Sequence, residues 1–247
     1  MPVGADVREG GGMTDPIVIT AANGCTATLY CADCLEVLPT LGKVDAVVTD
    51  PPYGIEIGTG KSAGNGRGLA REKYFMYNDT YENFVGSVVP RINAALDLAD
   101  RAAVFTGPHV HEQRKPSVIG GVFCPGAVAR NEWGFKTFLP VLLYGKQQNR
   151  NLGSRHSAVA STAVSEHNGH PCPKPLEWIL AFTKLVSNAG DLILDPFMGS
   201  GTTGVAALKL GRSFVGIEID PTYFDIARRR IEAAASVIQQ PLFGSQA

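Results

Sequence analysis

The sequence predicts an α/β fold built on a single doubly wound, mostly parallel sheet. Strand and helix signals alternate over residues 176–236. A glycine-rich turn, Gly199-Ser200-Gly201-Thr202-Thr203-Gly204, falls between one such strand and its helix. Far upstream, a compact apolar run, Val44–Thr49, is cut off by Asp50-Pro51-Pro52-Tyr53. Strands that alternate with amphipathic helices pair in parallel, because each crossover helix packs back on the sheet.

Residues 1 to 15 are Gly-rich and read as a disordered leader, 16–236 as the folded domain, and 237–247 as a tail. Two β-prone runs, Ile17–Thr20 and Ala27–Tyr30, flank an Asn23-Gly24 turn. Leu35–Leu41 suits a short helix and Val44–Thr49 a buried strand. Residues 54–73 read as a loop, being full of Gly, Ser and charge. Tyr81–Leu98 has helical spacing, and Arg101–Thr106 and Phe138–Tyr144 are strand-like. Residues 145–169 are polar and irregular. The remaining rhythm is helix Leu176–Ser187, strand Asp191–Leu194, helix Thr202–Leu210, strand Ser213–Ile217 and helix Pro221–Ser236.

With 247 residues, 45% hydrophobic and 18% charged, the chain is long enough to bury a sizeable core. No apolar run is long enough for a membrane span, and the N-terminus lacks a basic flank leading into an apolar stretch. The expectation is a cytoplasmic protein without membrane contact. The five cysteines include Cys31-Ala-Asp-Cys34 but no second ligand pair at zinc spacing; His109-Val-His111 fits poorly, so no metal is expected. Net charge is −1, which taken alone argues against nucleic acid. Its distribution matters more than the sum: Arg114, Lys115, Arg130, Lys136, Lys146, Arg150 and Arg155 stand against only Glu112 and Glu132. Lys61, Arg67, Arg71 and Lys73 form a second basic cluster. Both patches can face phosphates, or be ordinary solvated surface.

The glycine turn matches G-x-G-x-x-G, and Glu218 ends the following strand about 20 residues on. Such a turn admits close backbone approach to a ligand, and the carboxylate can accept both hydroxyls of a ribose. A nucleoside triphosphate site would need Gly-Lys-Ser/Thr where Gly-Thr-Thr stands. A dinucleotide and S-adenosylmethionine both fit the glycines, which do not separate them.

Asp50-Pro51-Pro52-Tyr53, then His170-Pro171-Cys172-Pro173-Lys174-Pro175, then Asp195-Pro196-Phe197-Met198-Gly199 with Gly216-Ile217-Glu218, together resemble the bacterial and phage DNA amino-methyltransferases. The order of the motifs is that of the circularly permuted class called β, and the resemblance spans roughly residues 27–232. It implies a Rossmann-like methyltransferase fold, S-adenosylmethionine as cofactor and double-stranded DNA as partner. It also implies catalysis by Asp50, Pro51, Pro52 and Tyr53. An exocyclic amine is a weak nucleophile because its lone pair is delocalised into the ring. Two acceptors, the Asp50 carboxylate and the Pro51 carbonyl, would localise that pair. Consecutive prolines fix φ and remove competing donors. Tyr53 offers a face on which a flipped base stacks, since the amine is out of reach inside the duplex. The alternative reading of this tetrapeptide alone is a strand-ending turn with a packed tyrosine.

The same resemblance assigns cofactor contacts to Asp33, Lys174, Asp195, Pro196, Phe197, Gly199, Ser200, Gly201, Thr202 and Glu218. Several have structural rivals. Asp33 also suits a helix N-cap, Phe197 core packing, and Asp195 an anchor for the glycine turn. Lys174 suits a cofactor carboxylate or a phosphate. Asp in the first motif position is typical of adenine-N6 enzymes, Ser of cytosine-N4 enzymes. Residues 55–75 and 145–169 are the candidate DNA-contacting loops. A homodimer, known among relatives, is compatible with the sequence but not required by it. The remaining alternatives are an RNA or protein-amide methyltransferase, a catalytically silent DNA-binding relative and a dinucleotide oxidoreductase.

Overall fold

The computed structural model describes residues 15–55, 79–125, 129–131, 134–146, 157–163 and 174–238. Most of the candidate loop 55–75, much of 145–169, the 1–14 leader, the 239–247 tail and the His170–Pro173 part of one motif lie outside them.

One nine-stranded sheet organises the chain. Its strands are β1 (Ile17–Thr20), β2 (Thr26–Cys31), β3 (Ala46–Thr49), β4 (Ala102–Phe105), β5 (Val118–Phe123), β8 (Phe138–Tyr144), β9 (Ala158–Ala160), β10 (Leu192–Asp195) and β11 (Ser213–Glu218). A separate small hairpin pairs β6 (Ala129–Asn131) with β7 (Gly134–Lys136). The order across the large sheet is β1-β2-β11-β10-β3-β4-β8-β5-β9. From β2 to β4 every neighbour is parallel. Antiparallel β1 flanks this block on one side, and antiparallel β8 on the other. The expected doubly wound, mostly parallel α/β sheet is therefore present. β3 lies beside β10, with Ala46 opposite Ile193 and Val47 opposite Leu194, although the two strands are far apart in sequence.

Side chains alternate across the sheet and build two cores. Ala46, Val48, Ala103, Phe105 and Ile193 face α3 (Leu176–Val186), α4 (Thr202–Lys209) and α5 (Pro221–Val237). Val47, Ala102, Val104, Leu194 and Val215 face α1 (Cys34–Val37) and α2. Helix α2 runs through Tyr81–Asn83, Phe84–Val88 and Val89–Leu96, the middle part wound as a π-helix. Pro90 explains that widening. It has no N–H for a bond four residues back and its ring crowds the preceding turn. The Val89 N–H reaches back to the Phe84 carbonyl instead.

Sequence reading missed four strands. β5 carries Gly120 and Gly121 at its centre, and glycine weakens a local strand signal. Their reason is close approach by other chain segments: a Cβ on Gly120 would sit 2.0 Å from the Ser157 carbonyl oxygen, just ahead of β9. β9 itself falls in the stretch expected to be irregular, and the short hairpin strands β6 and β7 gave no signal. The predicted Leu35–Leu41 helix is a single α turn followed by a 3-10 turn over Leu38–Thr40.

Helix α3, which Lys174 immediately precedes, is fixed to β4 through Phe182. Its ring is 1% exposed and meets Phe105 edge-on at 5.3 Å. Truncation to Phe182→Ala removes that contact and leaves a cavity, so the urea-unfolding free energy should fall by about 3–5 kcal/mol. A loss below about 1 kcal/mol, the scale expected away from a core, would contradict this account of the packing.

Candidate active site

The four acidic residues assigned to the site from sequence stand at the carboxyl ends of adjacent parallel strands. Asp33 follows β2, Glu218 ends β11, Asp195 ends β10 and Asp50 follows β3. Open α/β sheets bind ligands along this edge, where successive loops part to opposite faces.

The two central ends are tied together. The Thr49 hydroxyl, last in β3, donates to Asp195 Oδ1 at 2.6 Å, and the Phe197 N–H donates to the same oxygen at 3.1 Å. Asp195 is 2% exposed. Burial pushes its carboxyl up to about 6 despite hydrogen bonds from Thr49, Thr203 and Phe197, and the nearby Asp50 charge adds to the rise. Thr49, unremarked in the sequence, is thus the link between the two motifs.

Asp50 is partly exposed and has a hydrogen bond on each oxygen. The Tyr53 hydroxyl donates to Oδ1 at 2.5 Å and Lys174 Nζ donates to Oδ2 at 2.6 Å. The Lys174 ammonium also lies 5.0 Å from the centre of the Tyr53 ring. Lys174, read from the sequence as a cation for a cofactor carboxylate or a phosphate, stands against Asp50. Pro51 is buried, Pro52 and Tyr53 half-buried. Past the tetrapeptide the chain turns at Gly54 in the left-handed region, φ +67°.

The glycine turn sits over β10 and β11. Gly201 has φ +78° and caps α4, and a Cβ there would come within 3.0 Å of Ala227 on α5. The Met198 N–H donates to the Ile217 carbonyl, so the turn is pinned to β11. Glu218 holds it from the side: Oε2 accepts from the Gly199 N–H at 2.8 Å and Oε1 from the Asp220 N–H at 2.9 Å. Burial pushes the Glu218 carboxyl up to about 7, against those two hydrogen bonds and with the charges of Asp220 and Asp195 adding to the rise. Pro196 and Thr202 are buried, and Phe197 packs on the α1–α2 side. Arg230 of α5 donates to the Ser200 carbonyl, the Ser200 hydroxyl and the Thr202 hydroxyl.

Asp33 lies at the far end of this edge. It caps α1 by accepting from the Leu35 N–H at 2.9 Å and pairs with Arg91 at 2.5 Å. Burial alone would raise its carboxyl, but the Arg91 and Leu35 hydrogen bonds hold it below the ordinary value. In the neighbouring C-x-x-C, burial pushes Cys34 up to about 12 and also raises Cys31, so both stay protonated thiols at neutral pH. Among the described residues no group of His, Cys, Asp and Glu is placed to hold a metal, and no helix is long and apolar enough to cross a membrane.

Known proteins share this fold. Residues 112–229 match the N6_N4_Mtase family, described as DNA methylase. The N6_N4_Mtase match contains β10, the glycine turn, β11 and Lys174 but begins after Asp50. The chain is 55% identical over 65 residues to the Type II methyltransferase M2.DpnII of Streptococcus pneumoniae, covering 26% of this chain and 24% of that protein. It is 42% identical over 72 residues to the DNA adenine methyltransferase YhdJ of Escherichia coli K12, covering 29% and 24%. These matches span about a quarter of the length of those relatives. Among solved structures, the M1.HpyAVI–SAM complex superposes with a TM-score of 0.61 at 22% identity, covering 83% of this chain and 98% of that one. The cytosine-N4-specific PvuII DNA methyltransferase superposes with a TM-score of 0.58 at 18% identity, covering 85% and 87%. The fold is therefore the Rossmann-like one of DNA methyltransferases.

The two raised carboxyls have a consequence for stability. Folded Asp195 and Glu218 keep protons that the unfolded chain releases near its ordinary carboxyl values of 3.8 and 4.5. Their contribution is full below about pH 4 and is lost as pH rises through about 6 and 7. Stability of wild type relative to Glu218→Gln should therefore fall from pH 5 to pH 8, by roughly 2–3 kcal/mol at about 1.4 kcal/mol per pH unit. Urea midpoints that rose over that range relative to the variant would contradict the burial of Glu218.

Proposed function

We propose that this chain is an S-adenosylmethionine-dependent DNA methyltransferase of the permuted β class, acting on the exocyclic amine of a flipped base, adenine N6. The observation that carries the reading is the hydrogen bond from Thr49 to Asp195. It joins the end of β3, where Asp50 begins its tetrapeptide, to the end of β10, where the glycine turn begins.

The donor set on the β10–β11 side suits the cofactor. Each Glu218 oxygen accepts one backbone N–H and has a second lone pair for a ribose hydroxyl. The positive-φ turn at Gly199 and Gly201 presents backbone without side chains. Asp195, held by Thr49 and Phe197, anchors the turn. Bound there, S-adenosylmethionine supplies a methyl group on a positively charged sulfur.

On the β3 side, Asp50 accepts one N–H of the target amine and the Pro51 carbonyl accepts the other, which aims the nitrogen lone pair. The Tyr53 ring stacks on the base. Lys174 balances the Asp50 charge and yields or shares Oδ2 as the amine arrives. The methylated nitrogen then sheds a proton to Asp50 or to water. Asp50 at the head of the motif and the relative named as a DNA adenine methyltransferase support adenine. Cytosine N4 is the second reading, because either amine satisfies the same two acceptors.

Asp50→Ala should lower methyl transfer to unmethylated DNA by at least about 100-fold, the scale of losing one preorganised polar group at a reacting centre. Near wild-type transfer would remove Asp50 from the reaction. Mass spectrometry of nucleosides from DNA methylated by the wild type should show N6-methyladenine; N4-methylcytosine would instead establish the second reading. Calorimetry with Glu218→Ala should show weakened S-adenosylmethionine binding, and unchanged affinity would exclude the ribose contact.

A further inference from the structure

Both polar groups of the Gly54 main chain are held by side chains. Asp79 Oδ1 accepts from the Gly54 N–H at 2.7 Å, and Asp79 Oδ2 accepts from the Ile55 N–H at 3.4 Å. On the other side His109 Nε2 lies 3.2 Å from the Gly54 carbonyl, so that nitrogen carries the proton and donates it. The three residues come from different places: the end of the β3 loop, the approach to α2, and the loop after β4. Asp79 and His109 lie 25 and 55 residues from Gly54.

The surroundings leave this grip little slack. Asp79 is 5% exposed, and a buried carboxylate is tolerated only when hydrogen bonds replace its water. The His109 ring packs against Tyr81 at 4.9 Å and Phe84 at 5.7 Å. Gly54 itself lies so close to α2 that a Cβ would meet the Phe84 Cβ at 2.6 Å. One residue earlier, the Tyr53 ring lies against Gly107, where a Cβ would sit 2.9 Å from Tyr53 Cβ.

We propose that Asp79 and His109 are positioning residues for methyl transfer, gripping the Gly54 main chain from both sides so that the Pro51 carbonyl and the Tyr53 ring keep their aim. This rests on the function proposed above. The tetrapeptide has one end fixed by β3, and its prolines fix φ but not the direction of the far end. The grip supplies that second anchor. The bonds from Asp79 and His109 to the Gly54–Ile55 main chain fall on the Asp50 side of the site, so kcat and cofactor affinity are read separately in the test.

The test is steady-state methylation of unmethylated DNA with labelled S-adenosylmethionine, alongside calorimetric cofactor binding and thermal melts. The variants are Asp79→Ala, Asp79→Asn, His109→Leu and His109→Gln. Asp79→Ala and His109→Leu should lower kcat by about 10- to 100-fold, the range that a misplacement near 1 Å produces, with cofactor affinity unchanged. Asp79→Asn keeps a carbonyl acceptor and His109→Gln keeps an N–H donor, so both should recover most of kcat. Wild-type kcat in Asp79→Ala and His109→Leu overturns the proposal. So does a joint loss of kcat and cofactor binding that the conservative variants do not restore, which would mark a general structural role. If Asp79→Ala does not fold, the His109 pair decides by the same criteria. A wild-type protein that methylates no DNA overturns the functional reading itself, and the positioning role with it.

Discussion

Everything at this site depends on the parallel pairing of β3 with β10. The strands are separated by more than a hundred residues, yet their register brings Thr49 and Asp195 to the same edge, where hydroxyl and buried carboxylate bond at 2.6 Å. Burying that carboxylate is costly, and the three hydrogen bonds it accepts offset the cost. The pairing sets Asp50 and the glycine turn side by side. Neither motif could approach the other through local structure, since one ends in a proline-stiffened turn and the other in a helix.

The two halves of the site are held by different means. On the glycine side, Glu218, Arg230 and the Met198–Ile217 bond fix the turn to β11 and α5. On the Asp50 side, the turn is held by side chains from distant loops, by Lys174 ahead of α3, and by Asp79 and His109 around Gly54. A carboxylate already paired with an ammonium can exchange that partner for a neutral amine without being left unpaired, provided the ammonium finds another anion. Under the proposed function, DNA and an amino-acid-bearing cofactor would both bring such an anion.

Much of this was legible in the sequence because the motif residues are locally encoded. The abrupt Asp50-Pro51 end of a buried strand, the glycine turn before α4, and Glu218 closing β11 all carry their geometry in a few neighbouring residues. The parallel pairing of β10 with β11 follows from the strand–helix alternation of residues 176–236. What escaped is set by tertiary contact. β5 gave no strand signal because nothing local shows that neighbouring chain needs the bare faces of Gly120 and Gly121. Thr49 looked like the last residue of a strand and His109 like half of a poor metal pair, and Asp79 carried no signal. Lys174 was legible as a functional cation but not as the partner of Asp50, because the two are 124 residues apart.

The most direct test of the shared crevice is a crystal structure of the chain grown with S-adenosylmethionine. The account predicts the ribose against Glu218, the amino-acid end along the Gly199–Gly201 turn, and the methyl group turned toward the Asp50 carboxylate. A cofactor bound elsewhere on the sheet, or one whose methyl points away from Asp50, would contradict it.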